Sequence, residues 1–262
     1  MSRVAGVCPP EFIDFACRLA DAAGAVVLPY FRRPLAVERK SDASPVTAAD
    51  RAGETAMRAL IEKAYPSHGI VGEEFGTLRG DADYLWILDP IDGTKSFIAG
   101  LPLFGTLIAL AHAGQAILGV IDQPFTRERW VGASGQPTRL NGQAVKTRAC
   151  SRLADATLLT TSVGLFEPAE AAAFERLRRQ VGIYRLAGDC YAYGLLAAGH
   201  ADLVVEGTVK PYDFAALAPI IAGAGGRMTD WQGKPPSLAG ESRLLAAGDR
   251  AAWAAALKLL GG

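Results

Sequence analysis

The rhythm of apolar residues changes once along this chain, near Cys150, and that change limits the architectures open to it. Before it, helical patterns lead into a run of strands. After Pro9-Pro10, Phe12, Phe15, Ala16, Leu19, Ala23, Val26, Val27 and Tyr30 recur at helical spacing. A second helix is expected from Thr47, where Thr47 and Asp50 have capping-box spacing and Met57, Leu60 and Ile61 give an apolar face before Pro66. Strands are then expected over residues 69–71, 84–88 and 128–132, with a hairpin between the last two, in a largely antiparallel sheet. From residue 157 the elements alternate, with strands over 157–161, 183–186, 202–206 and 243–247 and helices over 168–180, 191–198, 212–222 and 251–260. Such alternation signals an α/β layer. The fold class is therefore α/β, with α+β character in the first half, and the boundary between residues 1–150 and 151–262 carries no Gly/Ser or Pro-rich linker.

At 262 residues the chain can bury a core of its own as one large domain or two modest ones. Lys plus Arg and Asp plus Glu each total 27, so no bulk charge draws it to nucleic acid or to an anionic membrane. Cys8, Cys17, Cys150 and Cys190 are scattered without a C-x-x-C pair, which suits reduced thiols. Residues 1–10 lack a basic region followed by an apolar stretch and a cleavage site, so a cytoplasmic location is expected. The uncharged stretch over residues 101–121 is long enough on hydropathy alone to span a bilayer. Pro102, Gly105, Gly114 and Gly119 interrupt it, and His112-Ala113-Gly114-Gln115 divides it into two apolar runs. That is the pattern of a buried β-hairpin.

The residues best suited to chemistry lie in Tyr84-Leu85-Trp86-Ile87-Leu88-Asp89-Pro90-Ile91-Asp92-Gly93-Thr94, an apolar strand ending in two acids. Strand ends are where ligands meet a sheet. Pro90 and Gly93 break regular structure, so both carboxylates and the Ile91 carbonyl can turn to one side, while Gly93 and Thr94 offer amides and a hydroxyl to a phosphate. Oxygen ligands beside a phosphate cradle suit magnesium. An EF-hand loop from Asp89 fails, because Ile91, Thr94 and Gly100 stand where that loop needs an oxygen ligand, Gly and Glu. Upstream, Gly72-Glu73-Glu74 follows a short apolar strand; downstream, Asp213 in Lys210-Pro211-Tyr212-Asp213 opens an apolar helix. Taken singly, these stretches also read as turns and a first-turn helix acid. His68, His112 and His200 lack zinc spacing, and neither Ser96 nor Ser162 lies in a nucleophile elbow.

In order along most of the chain, Gly72-Glu73-Glu74, Asp89-Pro90-Ile91-Asp92-Gly93-Thr94, and Asp213 with Ala215 and Ala216 before Gly225-Gly226 resemble the inositol monophosphatase family of magnesium-dependent, lithium-sensitive phosphatases. The resemblance implies a layered αβαβα sandwich, a homodimer and two or three Mg2+ ions per active site. It makes Glu73, Asp89, the Ile91 carbonyl, Asp92 and Asp213 the metal ligands, most of them within residues 1–150. Residues 151–262 would add the last ligand and the substrate pocket, completing one catalytic unit. Water would attack phosphorus directly, oriented and deprotonated by Thr94 and Glu73, with Asp89 as the third catalytic residue and the Gly93 and Thr94 amides on the phosphate. Lys40, Asp42 and Asp50, in or beside a polar loop, would support a weaker third ion or a mobile lid.

Within the family, Gly188-Asp189-Cys190-Tyr191-Ala192-Tyr193-Gly194 and Lys210-Pro211-Tyr212-Asp213 resemble the histidinol-phosphate phosphatases more than the inositol enzymes, which usually have Trp where this chain has Tyr212. Arg185, Asp189 and Glu206 would then join Ile91, Asp92, Gly93, Thr94 and Asp213 around the substrate. L-Histidinol phosphate is the expected substrate, a small phosphorylated metabolite of histidine biosynthesis. Inositol phosphate or another sugar phosphate is the alternative. A different class, a non-catalytic module that binds a phosphorylated metabolite, would be expected to have lost an acid or Thr94, and this chain has them all.

Overall fold

The computed structural model describes residues 7–40 and 45–261. Helix α1 (Pro10–Val27) is followed by a ribbon of β1 (Val37–Arg39) and β2 (Pro45–Thr47), then by helix α2 (Ala48–Ala64). The capping box at α2 forms as expected, with Asp50 Oδ2 accepting the Thr47 N–H at 2.8 Å and Thr47 Oγ1 accepting the Ala49 N–H at 3.2 Å.

The first large sheet is built from β3 (Gly69–Gly72), β4 (Gly76–Leu78) and β5 (Tyr84–Asp92), the short helix α3 (Thr94–Ile98) intervening before β6 (Gly105–His112), β7 (Gln115–Gln123) and β8 (Glu128–Ala133). Two short strands, β9 (Arg139–Leu140) and β10 (Gln143–Ala144), finish it in the order β10-β9-β8-β7-β6-β5-β3-β4. The uncharged stretch is the β6–β7 hairpin, and among the described residues no helix is long and apolar enough to cross a membrane. One pair departs from the antiparallel expectation: β3 and β5 run parallel. The chain turns back through β4 on the outer side of β3, so its next return lies alongside β3 in the same direction.

The second sheet takes β11 (Thr157–Leu159), helix α4 (Pro168–Arg178), β12 (Ile183–Arg185), helix α5 (Asp189–Ala197) and β13 (Leu203–Val209). Helices α6 (Pro211–Phe214) and α7 (Leu217–Gly223), strands β14 (Arg227–Thr229) and β15 (Ser242–Ala247) and helix α8 (Arg250–Leu260) complete the chain. The strand order is β12-β11-β13-β15-β14, parallel across the first three and antiparallel beyond. The single helix expected over residues 212–222 is two, because Pro219 has no N–H to return to the carbonyl four residues back.

Period-two alternation sorts these strands into layers. Trp86, Leu88, Ile108, Leu110, Leu118 and Val120 face α1 and α2, packing on Phe12, Phe15, Leu19, Met57 and Ile61. Their neighbours Ile87, Leu107, Ala109 and Ile121 face the other way, against Leu196 of α5 and Leu217, Ile220 and Ile221 of α7. The second sheet repeats the division: Val204, Leu244 and Ala246 join that middle layer, while Leu203, Val205, Leu245 and Ala247 meet Phe174 and Leu177 of α4 and Ala252, Ala256 and Leu260 of α8. The result is the αβαβα sandwich.

The middle layer is tight where α7 crosses the first sheet. A Cβ on Gly119 would lie 1.9 Å from the Ala216 carbonyl oxygen, and one on Gly132 would lie 2.4 Å from Ile220 Cα. Backbone cannot retreat as a side-chain tip can. Gly132→Ala should therefore destabilise the protein by about 1–3 kcal/mol, the usual cost of overpacking, read as a lower denaturation midpoint at unchanged m-value.

Candidate active site

Strand β5 does not stop at Leu88, as its apolar run suggests, but continues through Asp92. In a regular strand, residues three apart point to opposite faces. The β5–β6 register slips between Asp89 and Asp92, with Asp89 opposite Leu107 and Asp92 opposite Gly105. This bulge absorbs the odd residue and turns both carboxylates the same way. Thr106 Oγ1 donates to the Pro90 carbonyl at 2.9 Å and holds the bulge from the neighbouring strand. Gly93 follows at φ +83°, a left-handed corner leading into α3.

Asp213, at the start of α6, completes the cluster: carboxylate oxygens of Asp89, Asp92 and Asp213 all lie within 4.8 Å of one another. Burial pushes all three carboxyls up, Asp213 to about 7, and mutual repulsion raises Asp89 and Asp92 further. Glu73 lies outside this trio but close enough to Asp89 to add to its shift. Its carboxylate meets Lys40 Nζ at 2.8 Å, and the same ammonium reaches Glu74 at 2.6 Å. Burial opposes the Lys40 charge, yet the two carboxylates outweigh it and hold its pKa above the ordinary value. The Ile91 side chain is buried in an apolar cluster, and its carbonyl accepts the Thr94 hydroxyl at 3.1 Å.

Asp50, grouped above with a third ion or lid, reaches the same place from α2. Its Oδ2 is occupied by Thr47, while Oδ1 lies 3.4 Å from Thr94 Oγ1. Burial raises this carboxyl too. Asp42 lies outside the described residues.

Beside them is a cleft of about 210 Å³ whose lining includes Glu73, Asp92, Gly93, Thr94, Asp189, Tyr193, Glu206 and Asp213. Glu206 is an acid inside an apolar strand. It accepts from the Thr161 N–H at 2.8 Å and the Thr161 hydroxyl at 2.9 Å, yet burial, with the Asp189 charge adding to it, lifts its pKa to about 8. Asp189 is a non-glycine residue at φ +42°. Its carboxylate accepts the Ser96 hydroxyl at 2.5 Å and fills the space a Cβ on Gly93 would need, 2.8 Å from Asp189 Cγ. Arg185 is exposed on edge strand β12 and does not line the cleft; Asp189 is met instead by the Ser96 hydroxyl and feels the Lys95 charge. Of the histidines, His68 is structural, its Nδ1 accepting the Trp86 indole N–H at 3.2 Å.

The family model described as the inositol monophosphatase family matches residues 9–260. The chain belongs to the inositol monophosphatase family. The bifunctional phosphatase IMPL2, chloroplastic, of Arabidopsis thaliana is 53% identical over 218 residues, which are 82% of this chain and 63% of that protein. A histidinol-phosphatase of Chlorobaculum parvum is 38% identical over 231 residues, covering 87% of this chain and 89% of the relative. Among solved structures, an inositol monophosphatase from Zymomonas mobilis superposes with a TM-score of 0.89 at 49% identity, over 95% of this chain and 97% of that one. Inositol monophosphatase family members are phosphatases that generally use Mg2+, and the donor set here fits that ion: oxygen atoms only, converging in a cleft where repulsion leaves them short of positive charge.

Proposed function

We propose that this chain hydrolyses a small phosphate monoester with two or three Mg2+ ions, and that L-histidinol phosphate is its preferred substrate. The reading carries with it a cytoplasmic homodimer in which residues 1–150 and 151–262 form one catalytic unit. Its main support is the convergence of Asp89, Asp92 and Asp213 beside a cleft that Asp92, Asp213 and Glu206 all line. Asp89, Asp92, Asp213, Glu73 and the Ile91 carbonyl would hold the metal; when bound, Mg2+ supplies positive charge against the phosphoryl oxygens and lowers the pKa of water. Thr94 Oγ1 lies between the Ile91 carbonyl and Asp50 Oδ1, so it can orient the attacking water and pass its proton to Asp50. The new P–O bond forms as the ester P–O bond opposite it breaks, and the departing alkoxide takes up a proton to leave as the alcohol. Gly93 and Thr94 line the phosphate end, and Lys40 steadies Glu73 there.

Glu206 supports the substrate. A buried carboxyl with its pKa near 8 is one that a cation ionises, and histidinol phosphate carries an ammonium and an imidazole at its alcohol end. Asp189, which also lines the cleft, adds negative charge. Comparison of kcat/KM for L-histidinol phosphate, inositol phosphate and fructose bisphosphate tests the reading. Inositol phosphate ahead by tenfold would reject the substrate and leave the phosphatase reading standing.

Glu206→Gln should weaken histidinol phosphate selectively, and an equal loss on every ester would deny it that role. The variant also has a stability signature. Glu206 titrates at about 8 instead of its ordinary 4.5, so its contribution is full below pH 4.5 and lost as pH rises through 8. Glu206→Gln should therefore raise Tm increasingly from pH 6 to 9 and give little gain near pH 4.5.

A further inference from the structure

We propose that Glu54 is a positioning residue for the cation site: from the second turn of α2 its carboxylate fixes the backbone of the turn that carries Glu73. The inference rests on the reading of Glu73 as a cation ligand. Glu54 is 0% exposed, although it is an acid. Its Oε2 accepts the Glu74 N–H at 2.7 Å, and its Oε1 accepts the Phe75 N–H at 3.2 Å and Arg58 Nε at 2.7 Å. Arg58 also donates to the Gly76 carbonyl, so the ion pair closes over the whole β3–β4 connection. Gly72 shows how close the fit is: a Cβ there would lie 1.9 Å from Glu54 Oε1. On its other side the turn is pinned by the Glu73 N–H, which donates to the Leu88 carbonyl at 3.1 Å, one residue before Asp89.

Only a carboxylate satisfies this arrangement. Three donors converge on two oxygens, and glutamine would turn an NH2 towards one of the N–H groups. A hairpin turn at a sheet edge can leave its N–H groups to water, so two bonds from its backbone to a buried carboxylate on another element, itself held by Arg58, are more than folding requires. The same helix carries Asp50 to Thr94, and its Gly53 sits against Pro90, where a Cβ would lie 2.9 Å from Pro90 Cβ. Helix α2 thus sets Glu73, the Asp89-Pro90 bulge and Thr94 in register with one another. Loosening the Glu54 end should misplace Glu73 alone.

The experiment uses the full chain with Glu54→Gln and, as a milder variant that keeps the buried acid, Arg58→Lys. Amide hydrogen exchange without metal should show Glu74 and Phe75 exchanging at least tenfold faster in Glu54→Gln. Calorimetry with MgCl2 alone should show Mg2+ binding at least fivefold weaker, and the Mg2+ concentration that half-saturates activity should rise by a similar factor. Arg58→Lys should move both readouts the same way by a smaller factor, and it decides the matter if Glu54→Gln does not fold. Leu177→Ala, in the distant α4 layer, is the control for lost stability and should leave Mg2+ binding unchanged. A folded Glu54→Gln, or failing that Arg58→Lys, that binds Mg2+ like wild type while Glu73→Gln binds it weakly overturns the positioning role. If Glu73→Gln itself binds Mg2+ normally, the assignment of Glu73 as a ligand is what fails, and the inference falls with it.

Discussion

Asp89→Asn should lower kcat by more than the factor of about 10²–10³ that follows loss of a single transition-state hydrogen-bond donor. Asp89 sits at the bulge in β5, close to Asp92, Asp213 and Glu73 at once, so it is the carboxylate best placed to be shared by two cations. The amide keeps one oxygen and the shape but removes the charge. The fold should survive, because the bond Asp89 accepts from the Ile91 N–H at 2.9 Å is one that an amide oxygen can also accept. Relief of repulsion from three neighbouring acids should leave the metal-free variant at least as thermostable as wild type. Wild-type Tm should rise with MgCl2, as any ligand of the native state requires, and the rise should be much smaller in the variant. A folded Asp89→Asn with more than about a tenth of wild-type turnover at saturating Mg2+ would rule out a shared, two-cation role for this residue.

The long elements were legible because burial writes a period into them. The β6–β7 hairpin was distinguishable from a membrane span through its glycines and its central polar tetrad, and α2 through its capping box. Strands β1, β2, β4, β9, β10 and β14 were not legible, each being two or three residues long, too short for a period-two signal. They exist because a neighbouring strand offers them partners. The parallel β3–β5 pair has the same origin: without β4 in view, the simplest path from β3 to β5 is an antiparallel return.

The carboxylate cluster was legible because Pro90 and Gly93 stand where two acids must leave a strand on one side. Glu206, at the end of an expected apolar strand, entered only through the resemblance to the histidinol-phosphate phosphatases. Asp50 was harder, because capping α2 explains it fully as a local feature, and only the tertiary fold brings its second oxygen to Thr94. Glu54 gave no local sign. It reads as a helix surface acid four residues before Arg58, an ordinary ion pair, until β3 is seen to pass with a glycine at the point of contact. Arg185 misled through proximity in sequence: Asp189 follows a left-handed kink at Ala187 (φ +65°), and the intervening turn carries it into the cleft while the arginine stays outside on β12.

Thr94→Val should reduce kcat by about 10²–10⁴, the range for general acid–base contributions, with a much smaller change in KM. Valine keeps the branched shape, so the loss isolates the hydroxyl. That hydroxyl has one proton and two acceptors within reach, the Ile91 carbonyl at 3.1 Å and Asp50 Oδ1 at 3.4 Å, and the longer contact matters only if a proton is to pass along it. Asp50 can receive that proton because burial has already raised its pKa, while Thr47 occupies its other oxygen and keeps the receiving one aimed at Thr94. If the two act as one relay, Asp50→Asn should also lower kcat, and the double variant should be no worse than the poorer single variant. Multiplicative losses in the double variant would break the relay into independent roles. Hydrolysis in ¹⁸O-water should place the label in phosphate and none in the alcohol, in wild type and in whatever activity Thr94→Val retains. Label in the alcohol would show C–O cleavage, which this arrangement of Thr94, Asp50 and the acidic cluster cannot perform.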